Sequence, residues 1–278
     1  MKPVSPTGFT NLDMIGVFQV EFKNFLLEVR EDGIAVFTAH RPEKLNAMSA
    51  ESWTELYDFF NWAHTADEVK AIILTGSGEK AFIAGADLNS LATKTSANCL
   101  TNLGEKANNM IENCSKPVVC AVNGYAFGGG CEIAIACDFR IVSDNALFAL
   151  PETSLGILPG AGGCMRLTRL VGLGRAKDIA LLGNQVTAAE AVQIGLATKC
   201  VPQAELMDEA VKMCKKLIKR APISLRIAKQ VLNNSWTAGQ ETATLLECLA
   251  LSSLCGTEDK QEGVTSFLEK RKPSYNGR

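Results

Sequence analysis

Histidine is scarce: the 278 residues contain two, His40 and His64. A histidine-rich metal site is therefore excluded, and a Ser-His-Asp triad would have to run through one of that pair. Ten cysteines are present, yet none forms a CxxC pair and none has the Cys/His spacing of a zinc site. They read as reduced, buried thiols of a cytoplasmic protein. No apolar run approaches the roughly 18 residues of a bilayer span. The most apolar stretch, 117–137, is broken by Asn123, by Gly128-Gly129-Gly130 and by Glu132. Neither sign of charge dominates, since 28 Lys+Arg against 30 Asp+Glu leave a net charge of −2. That excludes a broad basic face for nucleic acid, so an anionic ligand would need a local basic cluster. The first sixteen residues hold one Lys and no Arg, unlike a transit peptide, and residues 1–22 read as a loose extension.

What is present describes an ordinary folded chain, 47% hydrophobic and 21% charged. A chain of this length buries roughly three quarters of its surface and needs no staples. Residues 25–30 and 34–38 flank Asp32-Gly33 and predict a hairpin. Ser49 can cap a helix carrying Trp53, Leu56, Tyr57, Phe60 and Trp62 at helical spacing. Residues 69–75, 117–122, 139–142 and 146–150 read as strands, and 82–87 as a small-residue turn. Helices are expected over about 97–114, from Gly130 to Cys137, over 164–171 and over 175–182, with a capping-box start at Thr187. After Pro202 the pattern is helical throughout, near 204–219, 222–234, 239–254 and 258–270. The expected organisation is an α/β core over 23–203 and an α-helical region over 204–278. The leucine stripe Leu245, Leu246, Leu249, Leu251 and Leu254 must pack on something, either this chain's core or a neighbouring subunit.

Three glycine-rich points stand out: 84–87, 128–132 and 159–163. Tight turns are the plain explanation. Adjacent glycines at a strand-to-helix junction also let backbone N–H groups approach a ligand at the positive end of a helix. None continues as a phosphate loop and none has GxGxxG spacing, so nucleotide chemistry of those kinds is disfavoured. Glu132 falls in the first helical turn after the glycines, where the dipole favours its ionised form. Glu152 follows Pro151 at a strand end. A helix-start charge and an exposed loop carboxylate are the bland readings. Together with backbone donors, the two acids would suit a reaction that stabilises an oxyanion and moves protons.

From residue 25 to 272 the chain resembles the enoyl-CoA hydratase (crotonase) family. The matching blocks are His40-Arg41-Pro42-Glu43-Lys44-Leu45-Asn46-Ala47-Met48, 81–88, Lys116 to Val119 running into Asn123 to Glu132, Pro151-Glu152, 155–163, and Phe267 to Lys272. The resemblance implies a crotonase-like spiral of repeated ββα units with a helical C-terminal region that builds homotrimers or homohexamers. It implies that the N–H groups of Ala86 and Gly129 form an oxyanion hole for an acyl-CoA thioester. Glu132 would activate water for C3, Glu152 would protonate C2, and the Gly160 N–H would help hold the water. The coenzyme A substrate would bind along Lys44, Leu45, Ala84, Gly85, Ala86, Asp87 and Leu88, with Phe267 and Lys270 reaching it from a neighbouring subunit. No metal, no permanently bound cofactor, no nucleic acid and no membrane are expected as partners.

The chain departs from the family pattern at several points. Leu150 stands where many members carry Gln, Cys164-Met165 replaces Thr-Gln, and Asn89 replaces a common Lys. No proposed catalytic group is lost. The acyl group is what these changes leave open: a short 2-enoyl thioester is the default, and branched, aromatic-pathway or cyclic dienoyl thioesters are alternatives. A Δ3,Δ2-enoyl-CoA isomerase and a non-catalytic acyl-CoA or RNA binder are the competing functions. Retention of both Glu132 and Glu152 favours hydration over the isomerase, and no basic stripe with interleaved aromatics supports RNA.

Overall fold

The computed structural model describes residues 19–278. Gln19–Glu21 (β1), Phe25–Val29 (β2) and Ile34–Ala39 (β3) pair antiparallel in succession. Of the expected extension, residues 1–18 lie outside the described part, while 19–21 pair with Leu26 to Glu28. The predicted hairpin turns at Gly33, where the Asp32 carboxylate accepts from the Ile34 N–H at 3.4 Å. Ser49 caps Ala50–Ala63 (α1) by accepting from the Ser52 N–H at 3.1 Å. The α1 face buried on the strands is Leu56, Phe59, Phe60 and Ala63. Phe37 stacks between Phe25 and Phe59, with ring centroids 4.4 and 3.9 Å away.

From Ala71 onward one plan recurs: a strand in a large sheet, a short strand in a small sheet, then helix. The first turn is Ala71–Gly76 (β4), Ala81–Ile83 (β5) and the helices Leu88–Ala92 (α2), Ser96–Leu100 (α3) and Leu103–Glu112 (α4). The second is Val118–Val122 (β6), Tyr125–Phe127 (β7) and Gly129–Ala136 (α5). The third is Phe139–Ser143 (β8), Leu147–Ala149 (β9) and Gly163–Leu182 (α6). Val186–Thr187 (β10), Ala188–Gln193 (α7) and Lys199–Val201 (β11) follow. The large sheet runs β1-β2-β3-β4-β6-β8-β11 and the small one β10-β9-β7-β5. Successive turns are parallel neighbours in both sheets, so the chain winds as a spiral of ββα units. This is the crotonase-like architecture the resemblance implied.

Strands β4 and β6 are buried along their whole length because both sheet faces are covered. Ile72, Leu74, Val118 and Cys120 enter the main core. Ala71, Ile73, Val119 and Ala121 point the other way, onto Leu206, Ala210 and Cys214 of Leu206–Ile218 (α8). The helix α8 therefore packs as part of the core layer although it lies beyond residue 203. Pro222–Ser235 (α9), Gln240–Cys255 (α10) and Glu258–Leu268 (α11) complete the chain. Helices α9 and α10 have no fully buried residue, and Leu232, Trp236, Leu245 and Leu249 are exposed. An ion pair of 2.8 Å between Lys229 and Asp138 ties α9 to the body. The Asn233 amide adds a hydrogen bond to the Glu112 carbonyl at 2.9 Å.

Several local expectations change. The helix expected over 97–114 is split, because Asn102 offers its oxygen to the Gly104 N–H and starts a new helix there. The turn expected at 82–87 begins as β5, and β7, β10 and β11 are likewise too short to show a period of two. The break expected between 171 and 175 is present, with Gly172 at φ 77° and ψ 159° inside α6. The expectation of buried thiols holds for Cys114, Cys120, Cys131, Cys137 and Cys214 only. Cys99, Cys164, Cys248 and Cys255 are exposed, and all ten cysteines are free. Among the described residues no helix is long and apolar enough to cross a membrane.

Candidate active site

Strands β5, β7 and β9 are adjacent and parallel, so their C-terminal ends lie side by side. The residues that follow them are Ala84 to Asp87, Gly128 to Gly130, and Leu150 to Glu152. Topology alone thus gathers two of the three glycine-rich points and one of the two acids. Register tightens the arrangement: the Gly128 N–H donates to the Ala149 carbonyl at 2.8 Å. Gly130 must be glycine for a packing reason, since a Cβ there would fall 1.9 Å from the Ile83 carbonyl oxygen.

Glu132 sits in the first turn of α5 and is only 3% exposed. Its Oε1 accepts from the Ala161 N–H at 2.7 Å and the Gly163 N–H at 2.9 Å. Burial raises its pKa above the ordinary carboxylate range, against those two N–H groups and the charges of Arg166 and Lys94. Glu132 stands at the helix start as expected, where dipole and donors favour its ionised form, but desolvation is the larger effect and the net direction is upward.

The donors have their own supports. The Ala161 carbonyl accepts from the Asn108 amide at 2.9 Å and from Arg166 Nη1 at 3.2 Å. Arg166, 3% exposed, is paired with Glu112 at 2.7 Å and bonded to Asn109 at 2.6 Å. Asn108 and Arg166 were not singled out from the sequence; Ala161 and Gly163 fall in the glycine-rich point 159–163, but not as donors to Glu132. A signal existed, because Gly162 precedes α6 as Gly128 precedes α5, and a helix start offers free N–H groups. Gly160 is exposed, and its carbonyl accepts from the Asn102 amide at 2.7 Å.

Glu152 opens a short 3-10 turn, Glu152–Leu155, and is partly buried. Its Oε2 is enclosed and makes no hydrogen bond within the chain. Burial pushes its pKa up to about 7, and the charge of Glu132 adds to the rise against its own backbone N–H. The two acids are therefore electrostatically coupled, and each is harder to ionise than a surface glutamate. The charges of both also bear on Cys164, raising its pKa behind the larger effect of burial. Leu150, by contrast, is fully enclosed in the main core, and Met165 is 43% exposed.

Ala86 bridges Met48: the Met48 N–H donates to the Gly85 carbonyl at 2.8 Å, and the Asp87 N–H to the Met48 carbonyl at 2.9 Å. That pattern turns the Ala86 N–H away from Met48. Gly129 is the first residue of α5, so its N–H has no acceptor within the helix. Lys44 and Leu45 lie on the same patch, with the Leu45 carbonyl accepting from the Ala84 N–H at 3.1 Å. Asp87 caps α2 by accepting from the Asn89 N–H and pairs with Arg41 at 3.3 Å; the N–H first, then Arg41, hold its carboxyl low. Leu88 is 67% exposed beside it. Phe267, 81% exposed on α11, and Lys270 just beyond it have no hydrogen bond or ion pair to this patch among the described residues.

A cavity of about 320 Å³ lies against Ala86 and is lined also by Met48, Trp53, Leu91 and Lys94. A larger one, about 480 Å³, lies beneath α9 and includes none of the expected site residues. Among the described residues no group of three or more His, Cys, Asp or Glu is placed to hold a metal. The site thus combines one anchored acid, one acid with a pKa of about 7 and two main-chain N–H groups, one past the end of β5 and one at the start of α5. Such a set can move protons while stabilising charge that develops on an oxygen.

Comparison with known proteins agrees. Residues 29–278 match the family described as enoyl-CoA hydratase/isomerase. The chain is 41% identical over 255 residues to a short-chain-enoyl-CoA hydratase of Clostridium acetobutylicum, covering 91% of this chain and 97% of that protein. It is 39% identical over 256 residues to a crotonyl-CoA hydratase of Syntrophomonas wolfei, covering 91% and 98%. The crystal structure of an enoyl-CoA hydratase from Bacillus anthracis superposes with a TM-score of 0.85 at 34% identity, over 94% of this chain and 99% of that one. By sequence and by fold, the chain belongs to the enoyl-CoA hydratase/isomerase family.

Proposed function

We propose that the protein is an enoyl-CoA hydratase, a hydro-lyase that adds water reversibly across the 2,3 double bond of a short 2-enoyl-CoA. The observation that carries the reading is the pair of dissimilar glutamates. Glu132 is anchored by two N–H groups, whereas Glu152 has an enclosed free oxygen and a pKa of about 7. In the proposed reaction Glu132 accepts a proton from water as the water oxygen bonds to C3. The displaced electron pair moves to the thioester oxygen, held by the N–H groups of Ala86 and Gly129. Glu152 then delivers a proton to C2. Each N–H donor to such an oxygen is typically worth about 3 kcal/mol of transition-state stabilisation.

Coenzyme A is placed along Lys44, Leu45 and Ala84 to Leu88, with the Gly160 N–H near the water. The exposed apolar side chains of α9 and α10 support a homotrimer or homohexamer in which Phe267 and Lys270 reach a neighbour's substrate. The proposed setting is the cytoplasm, with no resident cofactor.

The direct test is loss of the conjugated enoyl absorbance when purified protein meets crotonyl-CoA. Rapid loss, abolished in Glu132→Gln, is the expected result. Conversion of a 3-enoyl-CoA without hydration of crotonyl-CoA would instead identify an isomerase.

A further inference from the structure

Trp53 belongs to none of the roles proposed above. It stands in the first turn of α1 and lines the cavity of about 320 Å³ beside Ala86. Its indole is wedged between two glycines. Cζ2 lies 3.1 Å from the point where a Cβ on Gly129 would stand, and Cε2 lies 3.4 Å from the same point on Gly104. Gly129 opens α5 and Gly104 lies in the first turn of α4, so the ring spans the gap between two helix starts. It forms the cavity wall on the side where the thioester is placed.

The rest of the apolar lining is aliphatic: Met48, Ala50, Ala86, Leu91 and Leu103, with Gly104. Beyond it the wall turns polar, through Thr93, Lys94, Asn98 and Thr101. An acyl chain longer than a few carbons then has two routes. Inward it meets a rigid ring with backbone packed on either side. Outward it strips water from hydroxyl, amide and ammonium groups and returns no hydrogen bond.

We infer that Trp53 is a specificity-determining residue that holds the acyl pocket to short chains. The inference rests on the hydratase reading, because it concerns the substrate of that site. Wild type, Trp53→Leu and Trp53→Phe would be compared on crotonyl-CoA and trans-2-octenoyl-CoA. The octenoyl to crotonyl ratio of kcat/KM should rise on the order of tenfold or more in Trp53→Leu, and by less in Trp53→Phe. Circular dichroism checks the fold, and Trp53→Phe carries the test if the leucine variant does not fold. Dissociation constants for butyryl-CoA and octanoyl-CoA, which have no double bond to hydrate, read the same wall without chemistry. An unchanged preference in folded variants, in rates and in binding alike, overturns the inference. If wild type hydrates neither thioester while the binding preference shifts, the wall stands and the hydratase reading falls.

Discussion

The Glu152 carboxylate lies against Gly128, its Oε1 2.7 Å from the point where a Cβ on that glycine would stand. Gly128 adopts φ 50° and ψ −120°, a conformation open to glycine and strained for any other residue. Its carbonyl also accepts from the Glu132 N–H at 2.9 Å. One residue therefore backs the first acid with its α-carbon and the second with its carbonyl, which fixes where the two stand relative to each other.

Gly128→Ala follows directly. The added methyl would displace the Glu152 carboxylate and strain the start of α5. A shift on the order of an ångström in a reacting group costs about a hundredfold in rate. The expected result is a kcat for crotonyl-CoA lower by about that factor in a protein that keeps its folded circular dichroism. Wild-type kcat in Gly128→Ala would show that the placement of Glu152 is not critical.

Glu152 also sets a stability trade. Folded, it titrates near 7, whereas an exposed glutamate titrates near 4.5. Between those values the folded chain keeps a proton that the unfolded chain has released, so stability falls as pH rises through that window. Glu152→Gln removes the titration. Its melting temperature should exceed that of wild type most clearly at pH 8, with the margin shrinking toward pH 4.5. A margin independent of pH would mean that the carboxyl is not perturbed.

The rate of hydration should follow the pair rather than either acid. Glu132 must accept a proton and Glu152 must hold one, so the singly protonated pair is the active form. Because both pKa values are raised, the active window shifts upward as a whole, with its falling limb near pH 7. Initial rates on crotonyl-CoA from pH 5 to 9 at constant ionic strength give the profile. A flat profile to pH 9 would contradict these roles.

Much of the fold is legible in the sequence. The hairpin at Gly33, the cap at Ser49, the long apolar strands and the four C-terminal helices all carry strong local signals. So do the glycine-rich points that flank Glu132. The remainder depended on distance in the chain. Ala161 and Gly163 lie 29 and 31 residues from Glu132, and no periodicity links a carboxylate to backbone donors that far away. Burial was equally hidden. The first-turn position of Glu132 predicted a dipole that favours its ionised form, and only the packed core around it shows that desolvation is the larger effect. Strands of two or three residues, such as β10 and β7, were too short to announce themselves.

Asn108 offers a test of positioning without contact. It makes no hydrogen bond to either acid, yet its amide holds the Ala161 carbonyl, and the Ala161 N–H holds Glu132. Its own Oδ1 is enclosed with no hydrogen bond within the chain. Asn108→Ala thus removes one favourable bond and one unsatisfied oxygen together, so the stability change should stay within about 1–2 kcal/mol. The peptide that anchors Glu132 loses a restraint all the same. Expected are a kcat lower by about tenfold, a KM near that of wild type and a shifted acid limb of the pH profile. A drop in stability with unchanged kcat and pH profile would reduce Asn108 to a structural residue.

Charge also ties α9 to the spiral. Lys229 and Asp138 form a 2.8 Å pair in which both side chains are largely enclosed. Asp138 also accepts from the Val118 N–H at 2.7 Å, which links the pair to the start of β6. Burial already raises the Asp138 pKa, although Lys229 opposes the rise. Lys229→Met would leave the carboxylate enclosed without its cation, a loss on the order of 3–5 kcal/mol at neutral pH. The sign of its pH dependence is fixed. With the folded pKa driven further above the unfolded one, the deficit is largest at high pH and recedes as acid protonates Asp138. Melting temperatures of wild type and Lys229→Met at pH 8 and pH 5 should therefore converge on acidification. If the gap is the same at both, the pair does not hold α9 by charge, and the apolar contacts beneath that helix carry the attachment instead.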